Sequence, residues 1–81
     1  MYFTYILKSI KTNRFYYGHT QNLSERLNYH NIGKVKSTKA FRPWTIHYFE
    51  SFETRSEAYR RELFFKSKDG KLWLRANNII P

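Results

Sequence analysis

A few side chains in this sequence could do chemistry, and all fall where packing would be expected. Tyr5 lies in the middle of "YFTYILK" and Tyr16 in "RFYYG", two short aromatic stretches separated by "SIKTNR". Paired as a hairpin turning near Thr12 and Asn13, these stretches bring the two tyrosines side by side, with both hydroxyls on one face. Arg26 and His30 stand at i, i+4 and share a helix face beside a Leu23–Leu27 stripe. Glu62 falls between Ala58 and Phe65 on the expected inner face of a later helix. A carboxylate there must be paired, hydrogen-bonded or metal-bound, because a lone buried charge is costly. Each feature also has a plainer reading. The tyrosines can be cross-strand packing, Arg26 and His30 a solvated helix edge, and Glu62 an ion-pair partner of Arg60, Arg61 or Arg26. Taken singly, the plainer reading is the better one.

The stretch "RFYYGHT" concentrates the question. Phe15, Tyr16, Tyr17 and His19 are interrupted only by Gly18. A glycine here marks a strand end where the backbone turns or where something approaches closely. Tyr16 is then the candidate for chemistry, and Tyr17 faces the other side of the sheet, toward the core.

These residues need positioning elements. Tyr2 to Lys8 reads as a strand buried on both faces, since it barely alternates. "RFYYG" is its hairpin partner. "NLSERLNYHNIG" reads as a helix, with Asn22 as N-cap, Glu25 three residues on in a reciprocal capping arrangement, and Gly33 as its stop. "KVKSTKAFRPW" is a basic loop. Trp44 to Phe52 is a third strand, and Pro43 suits its start. "TRSEAYRRELFFKS" repeats the capping pattern with Thr54 and Glu57. "DGKLWLRAN" forms a last short helix, with Leu72 and Trp73 packing back. The tail "NIIP" carries no signal. The order β-β-α-β-α-α predicts an α+β fold, a three-stranded antiparallel sheet flanked by helices.

With 81 residues, the chain is expected to be one domain, residues 1–81, with a modest core that removes roughly 60–65% of the unfolded surface from water. An aromatic fraction of 20% helps so short a chain to bury apolar area. There is no cysteine, which excludes disulfides and Cys-based zinc sites. Fifteen Lys plus Arg against six Asp plus Glu leave 15 − 6 = +9. Basic residues interleaved with aromatic ones suit a nucleic acid, because cations neutralise phosphates and rings stack on bases. No strongly amphipathic basic helix favours a membrane surface, and neither a signal peptide nor a membrane-spanning run is apparent. The expectation is a cytoplasmic protein. Gly-rich phosphate loops, CxxC and HExxH are absent, and His19, His30 and His47 are too scattered in sequence for a metal cage.

Together, the candidate residues resemble the GIY-YIG nuclease family in order and spacing. "FTY" (Phe3-Thr4-Tyr5) stands where GIY is expected, and "YYG" (Tyr16-Tyr17-Gly18) where YIG is expected. Arg26 and His30 follow on the first helix, and Glu62, in "RRELFFK", on the second. The basic loop is similar to that of small single-domain members, which themselves resemble the N-terminal nuclease domain of the bacterial excision-repair endonuclease. The likeness runs from Tyr2 to about Trp73. Phe3 and Thr4 depart from the first motif, Tyr17 replaces the usual aliphatic residue of the second, and His19 follows the glycine where small, hydroxyl-bearing or Lys residues are more usual.

The resemblance implies a divalent-metal-dependent endonuclease acting on DNA, in repair or recombination. It implies one Mg²⁺ (or Mn²⁺) held by Glu62 and waters. It also implies Arg26 neutralising phosphoryl charge, Tyr16 taking the proton of the attacking water, and Tyr5 hydrogen-bonding the water or phosphate. His30 would orient Tyr16 or a phosphate, and His19 could do either. Lys34, Lys36, Lys39 and Arg42 would track the nucleic-acid backbone. With no second domain to supply specificity, either weak intrinsic specificity or a partner protein is expected. The rival readings are a non-cutting nucleic-acid-binding module of the same fold, and an interaction domain whose basic face docks an acidic partner.

Overall fold

In a computed structural model describing residues 1–81, the near-continuous apolar run Tyr2–Ser9 (β1) is the centre of a three-stranded sheet. Phe15–Thr20 (β2) and Trp44–Phe52 (β3) flank it, both antiparallel, in the order β2-β1-β3. A central strand has both edges paired and both faces covered, which explains why Thr4, Tyr5, Ile6, Leu7 and Ser9 are all buried. The β1–β3 register slips between Ile6 and Leu7, which pair with Tyr48 and Ile46 and leave His47 as an extra residue.

Leu23–Asn31 (α1) covers one face of the sheet: Leu23 and Leu27 pack on Tyr5, Leu7 and Trp44. Arg55–Lys66 (α2) and Lys68–Ala76 (α3) cover the other, where Phe65 and Leu74 meet Ile6, Tyr17 and Tyr48. Burying a side chain such as Phe65 or Leu74 contributes about 1.5–3 kcal/mol relative to leaving it in water. The architecture is the expected α+β fold.

Local chemistry sets the helix ends. Thr54 and Glu57 form the reciprocal capping box that starts α2. Asn22 caps α1 by accepting from the Glu25 backbone N–H at 3.1 Å, but the box is not reciprocal there. Instead the Asn22 N–H donates to Thr20 Oγ1 at 3.2 Å. At the other end Gly33 has φ 84, and Lys34 N–H bonds Tyr29 O at 3.0 Å, the closure a left-handed glycine permits.

Two expectations need correction. β2 does not end at Gly18 but runs to Thr20, with Gly18 paired to Tyr5 in its interior. Leu72 does not pack back: it is 54% exposed, while Leu74 is the buried residue of α3 and Trp73 stacks on Phe65 at 6.1 Å. The tail, on which the sequence carried no signal, packs Ile79 and Ile80 against the Ile6–Phe65–Leu74 cluster.

Candidate active site

The sequence-predicted residues gather near the end of β2, on both faces of this edge strand. On the α1 face, Tyr5 and His30 are 2% and 0% exposed. Arg26 Nε donates to the Tyr5 hydroxyl (3.4 Å), Tyr5 meets His30 Nε2 (3.1 Å), and His30 Nδ1 meets Thr38 Oγ1 (2.8 Å). Thr38 gives its own proton to Val35 O at 3.3 Å. The direction of the whole chain follows. Thr38, already donating, must accept from His30 Nδ1–H. His30 Nε2 is then the acceptor of the Tyr5 proton, and the Tyr5 oxygen receives Arg26. Burial pushes the Tyr5 phenol up to about 12, against the Arg26 hydrogen bond. Burial, aided by the Arg26 charge, takes His30 down to about 4. Both shifts agree with a neutral imidazole accepting from a neutral phenol.

Space for Tyr5 comes from Gly18. A Cβ on Gly18 would overlap the Tyr5 hydroxyl and ring, so the glycine of the second motif serves close approach rather than a turn. Tyr16 lies diagonal to Tyr5 on the same face: Leu7 pairs with Tyr16, Tyr5 with Gly18, and the rings are 6.4 Å apart. Its ring rests edge-on against His30 at 4.9 Å. The Arg26 guanidinium pKa is raised, first by its bond to Tyr5, with Tyr16 adding to the effect.

On the α2 face, His19 Nδ1 is 2.7 Å from Glu62 Oε1, and Lys66 Nζ donates to Glu62 Oε2 at 2.6 Å. Glu62 is 8% exposed, so it is indeed the buried carboxylate the sequence suggested. Its partners differ from the arginines considered: Arg61 instead grips Glu50 at 2.7 and 3.2 Å. The Lys66 contact was legible as an i, i+4 pair, with Glu N-terminal to Lys. The His19 contact was not, because it joins residues on different elements. No group of three or more His, Cys, Asp or Glu converges to hold a metal ion. A single carboxylate with retained waters and a phosphate oxygen nevertheless suits Mg²⁺, and the Lys66 ammonium shows that Glu62 Oε2 accepts a cation. Glu62 can therefore hold such an ion provided Lys66, half-exposed on its flexible stem, gives way.

A cleft of ≈ 280 Å³ opens beside this edge, lined by Tyr2, His19, Thr20, Gln21, Arg26 and Arg55. A second, wider depression of ≈ 570 Å³ is lined by Lys11, Lys36, Lys39, Ala40 and Arg42. Three of the four predicted backbone-tracking residues therefore share one surface. Lys34 is apart from them, its ammonium over the Tyr29 ring at 5.3 Å. Sequence reasoning missed Lys11, which the hairpin turn brings to the loop, and Thr38, which looks like an ordinary loop threonine. It also missed Asn31, whose side chain clamps Trp44 N–H and C=O at 2.6 and 3.0 Å and so ties α1 to β3.

Comparison with known proteins places nearly the whole chain in a family. A family model described as the GIY-YIG catalytic domain matches residues 1–77. A UPF0213 protein of Listeria welshimeri is 42% identical over 71 residues, 86% of this chain and 78% of its own length. The UPF0213 protein YazA of Bacillus subtilis is 42% identical over 66 residues, 80% of this chain and 66% of its own. The solution NMR structure of a UPF0213 protein from Bacillus halodurans superposes with a TM-score of 0.53 at 29% identity, covering 94% of this chain and 84% of that one.

Proposed function

Because this chain belongs to the GIY-YIG catalytic domain family, a family of nucleases, we propose that it is a divalent-metal-dependent endonuclease that hydrolyses phosphodiester bonds in DNA. The observation that carries the reading is the neutral, immobilised Tyr5. It holds Arg26 by Nε at the rim of a cleft that His19, the partner of Glu62, also lines. Residues 1–81 form the nuclease domain. Its surroundings are the cytoplasm, and its setting is DNA repair or recombination, as the likeness to the excision-repair endonuclease suggests. A partner protein would supply specificity for a particular DNA structure.

Tyr5 is committed: its proton is given to His30 and its pKa is pushed up to about 12. It therefore positions Arg26 and does not act as a base. Tyr16, on the same face, acts as its phenolate, a form the neighbouring Arg26 charge must favour, and takes the proton from a water whose oxygen attacks phosphorus. The bond to the 3′ oxygen breaks as the new P–O bond forms. Arg26, with Nε bound to Tyr5, offers its remaining N–H groups to the phosphoryl oxygens, a role suited to a planar and permanently charged donor. Glu62 is the residue that would hold Mg²⁺ or Mn²⁺, and such an ion would supply electrostatic stabilisation of the developing negative charge. Lys11, Lys36, Lys39 and Arg42 track the flanking backbone, with Lys34 at the margin.

One observation favours the rival, a non-cutting nucleic-acid-binding module: Lys66 already neutralises Glu62. Incubation with Mg²⁺ or Mn²⁺ and labelled single-stranded, duplex and branched DNA separates the two. Cleavage is expected, lost in Glu62→Ala with gel retardation near wild type, and reduced at least about 100-fold in Tyr16→Phe. Salt-sensitive retardation without cleavage by the wild type would establish the rival.

A further inference from the structure

The cleft beside β2 contains more positive charge than the proposed chemistry has used. Its six lining residues include the guanidinium groups of Arg26 and Arg55, the second without a role so far, and no carboxylate. Neither arginine enters a salt bridge, the paired carboxylates being taken by Arg61 at Glu50 and Lys66 at Glu62. Two guanidinium groups on one concave surface repel each other, and an anion between them relieves that repulsion.

The fold brings them together from distant parts of the chain. Thr20, at the end of β2, pairs near the start of β1, where Tyr2 lies. Arg55 is the first residue of α2, directly after the Thr54 cap. Its guanidinium lies over the Tyr2 ring, 5.4 Å from the centroid. This cation–π contact holds the guanidinium beside the cleft, and no hydrogen bond or salt bridge of the protein occupies its N–H groups. Arg26 comes from α1, and its Nε is spent on Tyr5, so its terminal N–H groups remain. Gln21, exposed at the turn between β2 and α1, adds a neutral amide. Thr20 adds nothing further, since its hydroxyl is already bonded to Asn22.

We propose that Arg55, held over the Tyr2 ring, and Arg26 form a two-arginine clamp for a single phosphodiester of the substrate, with the Gln21 amide as an added donor. Two planar forks lining one cleft suit a tetrahedral anion with two free oxygens. A single carboxylate would satisfy only one fork in its own plane. The clamp takes the nuclease reading as its premise for identifying the phosphate as part of DNA. Its binding chemistry is independent of any metal.

The test uses the metal-free wild-type protein with inorganic phosphate, following the arginine Nε–H resonances by NMR. Both Arg26 and Arg55 should shift along one binding curve. Affinity for a short single-stranded oligonucleotide in EDTA should fall about tenfold in Arg55→Ala, with the salt slope reduced by about 0.7. Arg55→Lys should recover the slope but only part of the affinity. An Arg55 resonance unmoved while Arg26 shifts, or unchanged oligonucleotide affinity in Arg55→Ala, overturns the clamp. If the wild type cuts DNA and Arg55→Ala binds normally, the clamp alone falls. If both arginines shift but the wild type never cuts, the nuclease reading alone falls.

Discussion

His30 is the residue where burial, tautomer and pH meet. Its pKa drops from the ordinary 6.5 to about 4, through burial and the Arg26 charge. The unfolded chain therefore binds a proton below about pH 6.5 that the folded protein refuses until about pH 4. Between these values the unfolded state holds more protons, so stability rises with pH and is lost as pH falls through this window. The loss due to His30 levels off below about 4. Thermal unfolding followed from about pH 8 to about pH 3 should show this component, and His30→Gln should lack it. Of the groups facing the ring, Tyr5 stays neutral across that range and Arg26 stays charged. Thr38 sets the tautomer, so Thr38→Val should let the Nε2–H form compete with the Tyr5 proton. Ring ¹⁵N shifts should report the change, and kcat should fall about tenfold with KM little altered. Thr38→Ser should restore both. None of this was legible in the sequence, where Thr38 stands eight residues from His30 without periodicity or motif.

At the scale of elements, β2 does the most, because an edge strand presents alternate side chains to opposite faces. Tyr16 goes to the α1 side with Tyr5, and His19 to the α2 side with Glu62. Gly18, between them, leaves the room that Tyr5 fills. Gly18→Ala should destabilise the protein by roughly 1–3 kcal/mol through overpacking, and should shift the Tyr5 hydroxyl away from His30. Chemical denaturation gives the first effect and the His30 ring shifts the second. A Gly18→Ala protein of wild-type stability would mean that the ring has another place to go. The strands and helices were readable from aromatic runs, capping residues and i, i+4 stripes. Gly18 was misjudged as a strand end because sequence shows a missing side chain but not the ring that needs the space.

Across the whole molecule, charge is sorted rather than mixed. No acidic residue precedes Glu25, and none lies between Glu25 and Glu50. The hairpin turn and the basic loop come from these acid-free stretches, and they meet at the surface of Lys11, Lys36, Lys39 and Arg42. Such a surface binds polyanions by releasing counterions. The affinity of duplex DNA should fall steeply with salt, and each of Lys11→Ala, Lys36→Ala and Lys39→Ala should lower the log–log slope by about 0.9. An unchanged slope in Lys11→Ala would remove the hairpin turn from the interface. Lys66 is set apart from this surface by its bond to Glu62. No helix is long and apolar enough to cross a membrane.

The order of elements, the family resemblance and the charge excess were all present in the linear chain. They depend on local propensity, spacing and composition, which need no third dimension. The buried position of Glu62 was also readable, since a helix repeats about every 3.6 residues and places it between Ala58 and Phe65. Only the tertiary structure decided which groups meet. It gave Glu62 to His19 and Lys66 instead of an arginine, threaded Arg26 through Tyr5 and His30 to Thr38, and brought Arg55 and Arg26 to one cleft. Such pairings join distant parts of the chain, and their partners are selected by strand register, by the crossing of helices over the sheet and by the room a glycine leaves. None of these is a property of any one segment.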